Sequence, residues 1–353
     1  MIYDTRGPTL TFFTGLVLAA LGNLGIVLAT LLLPSTRLAR YVVGACYYLQ
    51  EQGFSTLFVG VLMDTLIHFP SRHTHLSVGI ASMSYGLSSV ITTFIMRRVN
   101  VGIVQFLLVV LGAAAFFSLI RLCILGDVSS TEGAPARRSS VTTTISLRKG
   151  RITPAFRVLM LGCFTNNSAG IALIGVLKPL GSAFAVDGAT LAQACLLANC
   201  GSRLATGWLC SVCNWVPSKF TFLVGLVGTS VAFLLLTLHV LLALHSRLES
   251  LPPVLLVTSC LLAALSFGSL VCLRGLFVKD HFPTQVSGRV YGLAELVMAL
   301  GSFLLVGLFG PEGNHPESFV RLIFASACSS VVALVLVVPD LSLVQRWPPA
   351  KPS

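Results

Sequence analysis

Ten long apolar segments divide the sequence, and they limit its fold more than any other feature. They extend over Pro8–Leu33, Tyr41–Leu66, Leu76–Met96, Val101–Leu125, Pro154–Pro179, Asp187–Cys213, Phe220–Leu244, Val254–Phe277, Thr284–Phe309 and Phe319–Val338. Each is at or above the ~20 residues that a helix needs to cross ~30 Å of hydrocarbon. Because lipid offers no hydrogen-bonding partner to backbone groups, such segments must be helical. The sequence therefore predicts an all-α membrane protein with ten transmembrane helices.

The composition supports this class. Hydrophobic residues make up 55% of the chain and charged residues 10%, a balance that ordinary soluble domains do not have. The net charge of +11 would suggest a nucleic-acid partner for a soluble protein, but in a membrane protein Lys and Arg collect in cytoplasmic loops. We expect a multi-pass integral membrane protein of the plasma membrane or an organelle, surrounded by the lipid bilayer, that binds no nucleic acid.

The segments are grouped as four, then a polar loop, then six. We predict a four-helix bundle at 1–125, a flexible basic loop at 126–153, a six-helix bundle at 154–340 and a tail at 341–353. The loop is rich in Ser, Thr and Arg and has almost no large apolar residues, so it cannot bury a core.

The distribution of Lys and Arg predicts the orientation in the membrane. If the ten segments alternate in direction, more Lys and Arg lie on the side that holds this loop and both termini than on the other side. Arg274 is counted on that side, and Arg203 is taken as the one basic residue inside a helix. That side is predicted to be cytoplasmic.

Short motifs in the first half resemble the major facilitator superfamily. Tyr3–Pro8, with an acidic residue, an arginine and a glycine directly before an apolar helix, resembles the loop between the second and third helices of that superfamily. His68–Arg72 and the downstream Gly79 and Gly86–Ser88 resemble a stretch of its nodulin-like members.

Motifs of the second half follow in the expected order. Ser168–Ile171, Asn199–Arg203 and Leu300–Ser302 resemble the nodulin-like branch, which is related to monocarboxylate transporters. Three features depart from the pattern, one of them at Gly175 and Val176, which stand where the family often has an Asp-Asn pair. Ser202 stands where the family has a glycine before the arginine, and the acidic residue expected shortly after Gly207 is absent.

The resemblance implies that the ten segments are the third to twelfth helices of a twelve-helix fold. The N-terminal bundle would then be incomplete, and we expect two further helices to be encoded upstream. The superfamily fold has two helical bundles around a cavity that opens alternately to each side. The function implied is transport of a small metabolite by alternating access. Whether that metabolite is an anion and whether transport is coupled to protons are both left open. The alternative is a truncated, non-transporting paralogue that acts as a membrane partner or scaffold.

No catalytic motif occurs, so we expect neither an enzyme nor a cofactor or metal.

Arg203 is the first candidate for binding the solute. Asn199, Ser202, Arg203 and Thr206 follow the i, i+3, i+4, i+7 pattern, which places them on one helix face. A guanidinium near the middle of the membrane can hold a carboxylate through two parallel hydrogen bonds. Monocarboxylate transporters are similar, with an acidic residue four positions before the arginine, where this chain has Asn199. The alternative is an arginine neutralised by an internal Glu or by helix carbonyls.

Two glutamates are candidates for proton coupling or for a structural ion pair. Glu51 lies in a polar stripe near the middle of its segment, and burial there would suit a carboxyl group to carry a proton. Glu295 lies on the same side of its segment as Tyr291 and Ser302. Glu295 is also one candidate partner of Arg203, since the helices of both residues border the interface between the two halves in this fold. For both glutamates, coupling and a structural pair remain open.

Asn166 and Asn167 form a polar cluster with Thr165 and Ser168 near the centre of their segment, between two glycines. Such a cluster loosens a helix and offers donors and acceptors to a ligand. We therefore include both asparagines among the substrate-binding candidates. The alternative is that they hydrogen-bond a neighbouring helix.

Overall fold

The computed structural model describes residues 2–33, 37–68, 71–98, 102–125, 153–213, 217–245, 253–311 and 315–343. The predicted loop at 126–153 lies outside the described residues except for Thr153, whose side chain accepts a hydrogen bond from the Phe156 nitrogen at 3.3 Å. The predicted tail is described only as far as Leu343, where it continues a helix.

Ten helices follow one another along the described chain, and each predicted segment overlaps one of them. Their bounds are α1 Ile2–Leu32, α2 Arg37–His68, α3 Ser71–Arg98, α4 Ile103–Leu125, α5 Pro154–Ala183, α6 Gly188–Val212, α7 Ser218–His245, α8 Val254–His281, α9 Thr284–Phe309 and α10 Pro316–Leu343. The long apolar segments therefore correctly predicted where the helices lie. The helices extend beyond several predicted ends, because polar residues can continue a helix past the apolar part.

The chain is an integral membrane protein with several membrane crossings. Six of the described helices, α1, α5, α7, α8, α9 and α10, are long and apolar enough to cross a bilayer. Their exposed side chains are largely apolar; examples are Phe303 and Val335. In water such an apolar surface would promote aggregation, but lipid tails solvate it. The helices α2, α3 and α6 carry more polar residues, and the exact number of crossings stays a prediction.

The described residues form two compact units. Residues 2–67 and 92–125 make the first, and residues 68–91 and 153–343 make the second. The early part of α3 thus belongs to the second unit, although it precedes the predicted loop. The predicted division into 1–125 and 154–340 follows chain order and stays a prediction.

In the first unit, α1 and α2 approach each other at small residues. A β-carbon added at Gly22 would lie 2.4 Å from the Gln50 nitrogen, and one at Gly53 would lie 2.3 Å from the Ala19 nitrogen. Only glycine permits this approach of two backbones, and small residues commonly serve this purpose in membranes. Ile26, Val27 and Leu107 join α1 to α4 in a small apolar cluster.

The second unit has the larger core. Buried Leu, Phe, Ala and Cys side chains from α5, α7, α8 and α10 interdigitate there, among them Leu180, Phe233, Leu256 and Phe319. At one edge Arg157 of α5 donates to Asp340 of α10 at 2.7 Å. This core fixes α6, α8 and α9, which carry the polar groups described next.

Candidate functional site

Arg203 is buried in the second unit, with 6% of its surface exposed. Its Nε donates to Asn199 Oδ1 at 2.9 Å, one turn earlier on α6. Its Nη1 donates to the carbonyl oxygen of Ser82 on α3 at 3.0 Å. Of the predicted face, Asn199 and Arg203 thus contact each other. Thr206 donates to Ser269 Oγ of α8 at 2.9 Å.

The hydrogen bonding of this site is incomplete. The Asn199 amide nitrogen is buried and has no partner among the described residues. Arg203 Nη2 makes no hydrogen bond to any described residue. Within the described part of the second unit, no Asp or Glu forms an ion pair with Arg203. Burying a cation without a counter-ion costs several kcal/mol, so the site is complementary to a ligand that brings acceptors and negative charge.

A second buried arginine, Arg274 on α8, has a carboxylate partner by contrast, although its buried Nε has no hydrogen-bond partner among the described residues. Its Nη2 donates to Glu295 Oε1 at 2.5 Å and to the Tyr291 hydroxyl at 2.9 Å, both on α9. Its Nη1 donates to Met298 Sδ at 3.2 Å, and its Cζ lies 4.7 Å from the centroid of the Tyr291 ring. Carboxylate, hydroxyl, sulfur and ring together enclose this guanidinium.

This arrangement corrects two predictions. The expected pair of Arg203 and Glu295 is wrong, since Glu295 binds Arg274. The expectation that Arg203 is the one basic residue inside a helix is also wrong, since the Arg274 side chain is 1% exposed within α8. The reason is that α8 continues to His281, about two turns beyond Arg274. Sequence reasoning missed Arg274 although it falls within the apolar segment Val254–Phe277.

The two arginines belong to the same polar region of the second unit. Arg203 lies within electrostatic reach of Tyr291 and of Arg274. The Glu295 side chain, 23% exposed, is more open than its partner. Among the described residues, this region thus contains two guanidinium groups and one carboxylate, which pairs with Arg274. One positive charge is left uncompensated.

The polar cluster of α5 forms a π-helical turn over Cys163–Asn167. Such turns are rare and occur frequently at functional sites. Asn166 is fully buried and donates to the Leu226 carbonyl of α7 at 3.1 Å. Ser168 donates to the Met298 carbonyl of α9 at 2.8 Å. These two bonds favour the packing alternative for this part of the cluster.

Asn167 differs from Asn166. Its amide nitrogen makes only a long contact of 3.7 Å to Cys163 Sγ, and its buried Oδ1 has no partner among the described residues. The Cys163 thiol lies within electrostatic reach of Arg274 and Glu295. Asn167 therefore borders the ion pair and keeps an unused acceptor.

Glu51 lies in the first unit on α2. It is partly buried, and its carboxylate is hydrogen-bonded to Tyr47, one turn earlier. It makes no ion pair with any residue whose side chain the structure describes. Its position near the middle of α2 agrees with the expectation, and its role stays a prediction.

Solved structures with the same fold can now be compared. A structure of the proton:xylose symporter XylE of the major facilitator superfamily, bound to 6-bromo-6-deoxy-D-glucose, has a TM-score of 0.69 at 14% identity, covering 98% of this chain and 82% of that chain. A bacterial homologue of the iron transporter ferroportin, outward-facing, has a TM-score of 0.67 at 14% identity, covering 96% and 84%. The E. coli fucose:proton symporter FucP has a TM-score of 0.61 at 13% identity, covering 96% and 85%.

No family model and no curated protein sequence matches the chain. The structural comparisons nevertheless show the fold: this is an all-α membrane protein with a helical bundle of the major facilitator type. At 13–14% identity they show the fold alone.

Proposed function

We propose that the protein is a membrane solute transporter that carries a small anionic metabolite, and that Arg203 is its anion-binding residue. The fold supports transport, because the similar structures include sugar and iron transporters. The nodulin-like motifs around Asn199 and Arg203 agree with this class of solute.

One observation carries the proposal: Arg203 is buried without a carboxylate partner among the described residues of its unit, beside an unpaired amide donor of Asn199. A carboxylate ligand would accept from Arg203 Nη2 and Asn199 Nδ2 and neutralise the charge. Both groups are donors, so a cation or a purely apolar solute would leave them unsatisfied.

Glu295 and Glu51 are the candidates for proton coupling. A proton on Glu295 would weaken its bond to Arg274 and leave both guanidiniums of the region without a counter-charge. The electrostatic link between the two arginines would then couple protonation to anion binding. For Glu51 the support is its partly buried carboxylate on α2.

The test is uptake by the purified chain in liposomes. Labelled lactate, pyruvate and phosphate are the anionic probes, and glucose is the neutral control. We expect anion uptake that Arg203→Lys lowers by about tenfold or more, because Lys keeps the charge but cannot form two parallel hydrogen bonds. Arg203→Gln should lower it further. Arg321→Lys is the matched control, because Arg321 is exposed on α10.

Two results would count against the proposal. Equal anion uptake by wild type and Arg203→Gln would exclude Arg203 as the anchor. Absence of uptake for every probe above that of empty liposomes would favour the non-transporting alternative. Repeating the assay with an inward proton gradient, on Glu295→Gln and Glu51→Gln, separates the two coupling candidates.

A further inference from the structure

Two unpartnered polar atoms, one acceptor and one donor, lie beside the Cys163 thiol. The Asn167 amide nitrogen contacts Cys163 Sγ at 3.7 Å, and the same thiol also contacts the Arg274 side chain. Asn167 Oδ1 is an acceptor and Arg274 Nε is a donor. Both atoms are buried, and neither has a hydrogen-bond partner among the described residues.

The packing of α5 and α8 does not use these two atoms. Asn166, the neighbour of Asn167, holds α5 to α7 through its bond to the Leu226 carbonyl. Arg274 is held to α9 by its two terminal nitrogens. Because a buried polar group without a partner lowers stability, the two atoms are explained by a polar group that the described residues do not supply.

The chemistry of the two atoms selects that group. A carboxylate would satisfy only Arg274 Nε, since it has no proton to donate to Asn167 Oδ1. An ammonium group would satisfy only Asn167 Oδ1, because it has no acceptor. A hydroxyl both donates and accepts, so a single hydroxyl oxygen can satisfy both atoms.

This pair of atoms lies in the same polar region as the proposed anion-binding residue. The Tyr291 hydroxyl accepts from Arg274 Nη2 at 2.9 Å, and both Tyr291 and Arg274 are within electrostatic reach of Arg203. All these residues belong to the second unit. A solute with two polar groups can therefore present one to each arginine.

We propose that Asn167 Oδ1 and Arg274 Nε form a hydroxyl subsite and that the solute is a hydroxycarboxylate. Its carboxylate binds Arg203 Nη2 and Asn199 Nδ2, while its hydroxyl donates to Asn167 Oδ1 and accepts from Arg274 Nε. The inference rests on the proposed function, since it needs the carboxylate at Arg203. It makes Asn167 a specificity-determining residue and gives Arg274 a second role beside its ion pair.

The first measurement compares acids that differ only in the hydroxyl. Kd is measured by titration calorimetry on the purified wild type in detergent, for butyrate and for 2-, 3- and 4-hydroxybutyrate. The series moves the hydroxyl along a constant carbon chain and so reports its distance from the carboxylate. We expect at least one hydroxy acid to bind about tenfold more tightly than butyrate, as a hydrogen bond to a charged donor implies.

The second measurement removes the acceptor. Asn167→Leu keeps the size of the side chain but cannot accept, so it should bind all four acids with equal affinity, close to that of the wild type for butyrate. Its Tm should be unchanged or higher, because the lost acceptor has no partner. Thr165→Val is the matched control on the same turn: the Thr165 hydroxyl bonds within its own helix, and this variant should keep the preference.

Equal affinity of the wild type for all four acids would overturn the hydroxyl subsite and leave the proposed function standing; an ordered water beside Cys163 would then satisfy the two atoms. A hydroxyl preference that survives in Asn167→Leu, or one that Thr165→Val also abolishes, would overturn the role of Asn167. A Tm of Asn167→Leu well below that of Thr165→Val would show that Asn167 is structural. Absence of binding for all four acids and for phosphate would overturn the proposed function, and the subsite with it.

Discussion

The second unit buries two arginines that differ in their partners. Arg274 has a carboxylate, a hydroxyl, a thioether and an aromatic ring around it. Arg203 has one amide oxygen and one backbone carbonyl. The fold therefore supplies one guanidinium with a counter-ion and, among the described residues of the second unit, leaves the other without one. An uncompensated buried charge lowers stability. Helix packing therefore gives no reason for a charge at Arg203, whereas binding of the proposed anion does.

The same substitution at the two arginines should have different effects on stability. Arg274→Gln leaves Glu295 without its partner and should lower the apparent unfolding free energy in mixed micelles by about 3–5 kcal/mol. Arg203→Gln removes an unpaired charge and should leave stability unchanged or higher. The double variant Arg274→Gln with Glu295→Gln should recover most of the loss, since both charges are removed together. If Arg203→Gln and Arg274→Gln lowered the unfolding free energy equally, the proposed difference between the two arginines would be wrong.

A carboxylate placed next to Arg203 would make its surroundings similar to those of Arg274 and so tests the difference between the two arginines. Asn199→Asp keeps the shape and the acceptor that binds Arg203 Nε, but it adds a negative charge. We expect the unfolding free energy to rise by about 1 kcal/mol, because the bond would join two opposite charges in place of one charge and a neutral amide. Lactate uptake should fall about tenfold, because the site is already neutralised. Higher stability with undiminished uptake would show that Arg203 needs a counter-ion but not a ligand.

The smallest effect is expected where an arginine pair is exposed. Arg157 and Asp340 form a close ion pair, but the arginine side chain is 48% exposed. Exposed pairs contribute about 0.2–1 kcal/mol, so Arg157→Gln should change stability by no more than this and should leave anion uptake unaltered. A loss comparable to that of Arg274→Gln would indicate that this exposed pair contributes as much to stability as a buried one.

Sequence patterns were sufficient for features that lie within one helix. Apolar length located the helices, and the spacing of Asn199 and Arg203 correctly placed both on one face, since four residues make about one turn. The all-α membrane class followed from the same segments, and the major facilitator type from the resemblance of the short motifs.

Features that depend on two helices could not be predicted in this way. The partner of Glu295 depends on how α8 and α9 are rotated about their axes, and the apolar pattern of α8 does not fix that rotation because nearly every face is apolar. The Ser82 carbonyl is a backbone group, which no residue type identifies. The π-helical turn at Cys163–Asn167 likewise depends on its bonds to α7 and α9.

The most direct test of the central claim compares anion-dependent stabilisation at the two arginines. Tm is measured in detergent for wild type, Arg203→Gln and the double variant Arg274→Gln with Glu295→Gln, with lactate titrated against chloride. A ligand at 100 times its Kd stabilises the folded state by about 2.7 kcal/mol, which a Tm shift detects. The account predicts that lactate raises Tm in the wild type and has no effect in Arg203→Gln, while the double variant keeps part of the response. A full lactate response in Arg203→Gln would contradict it.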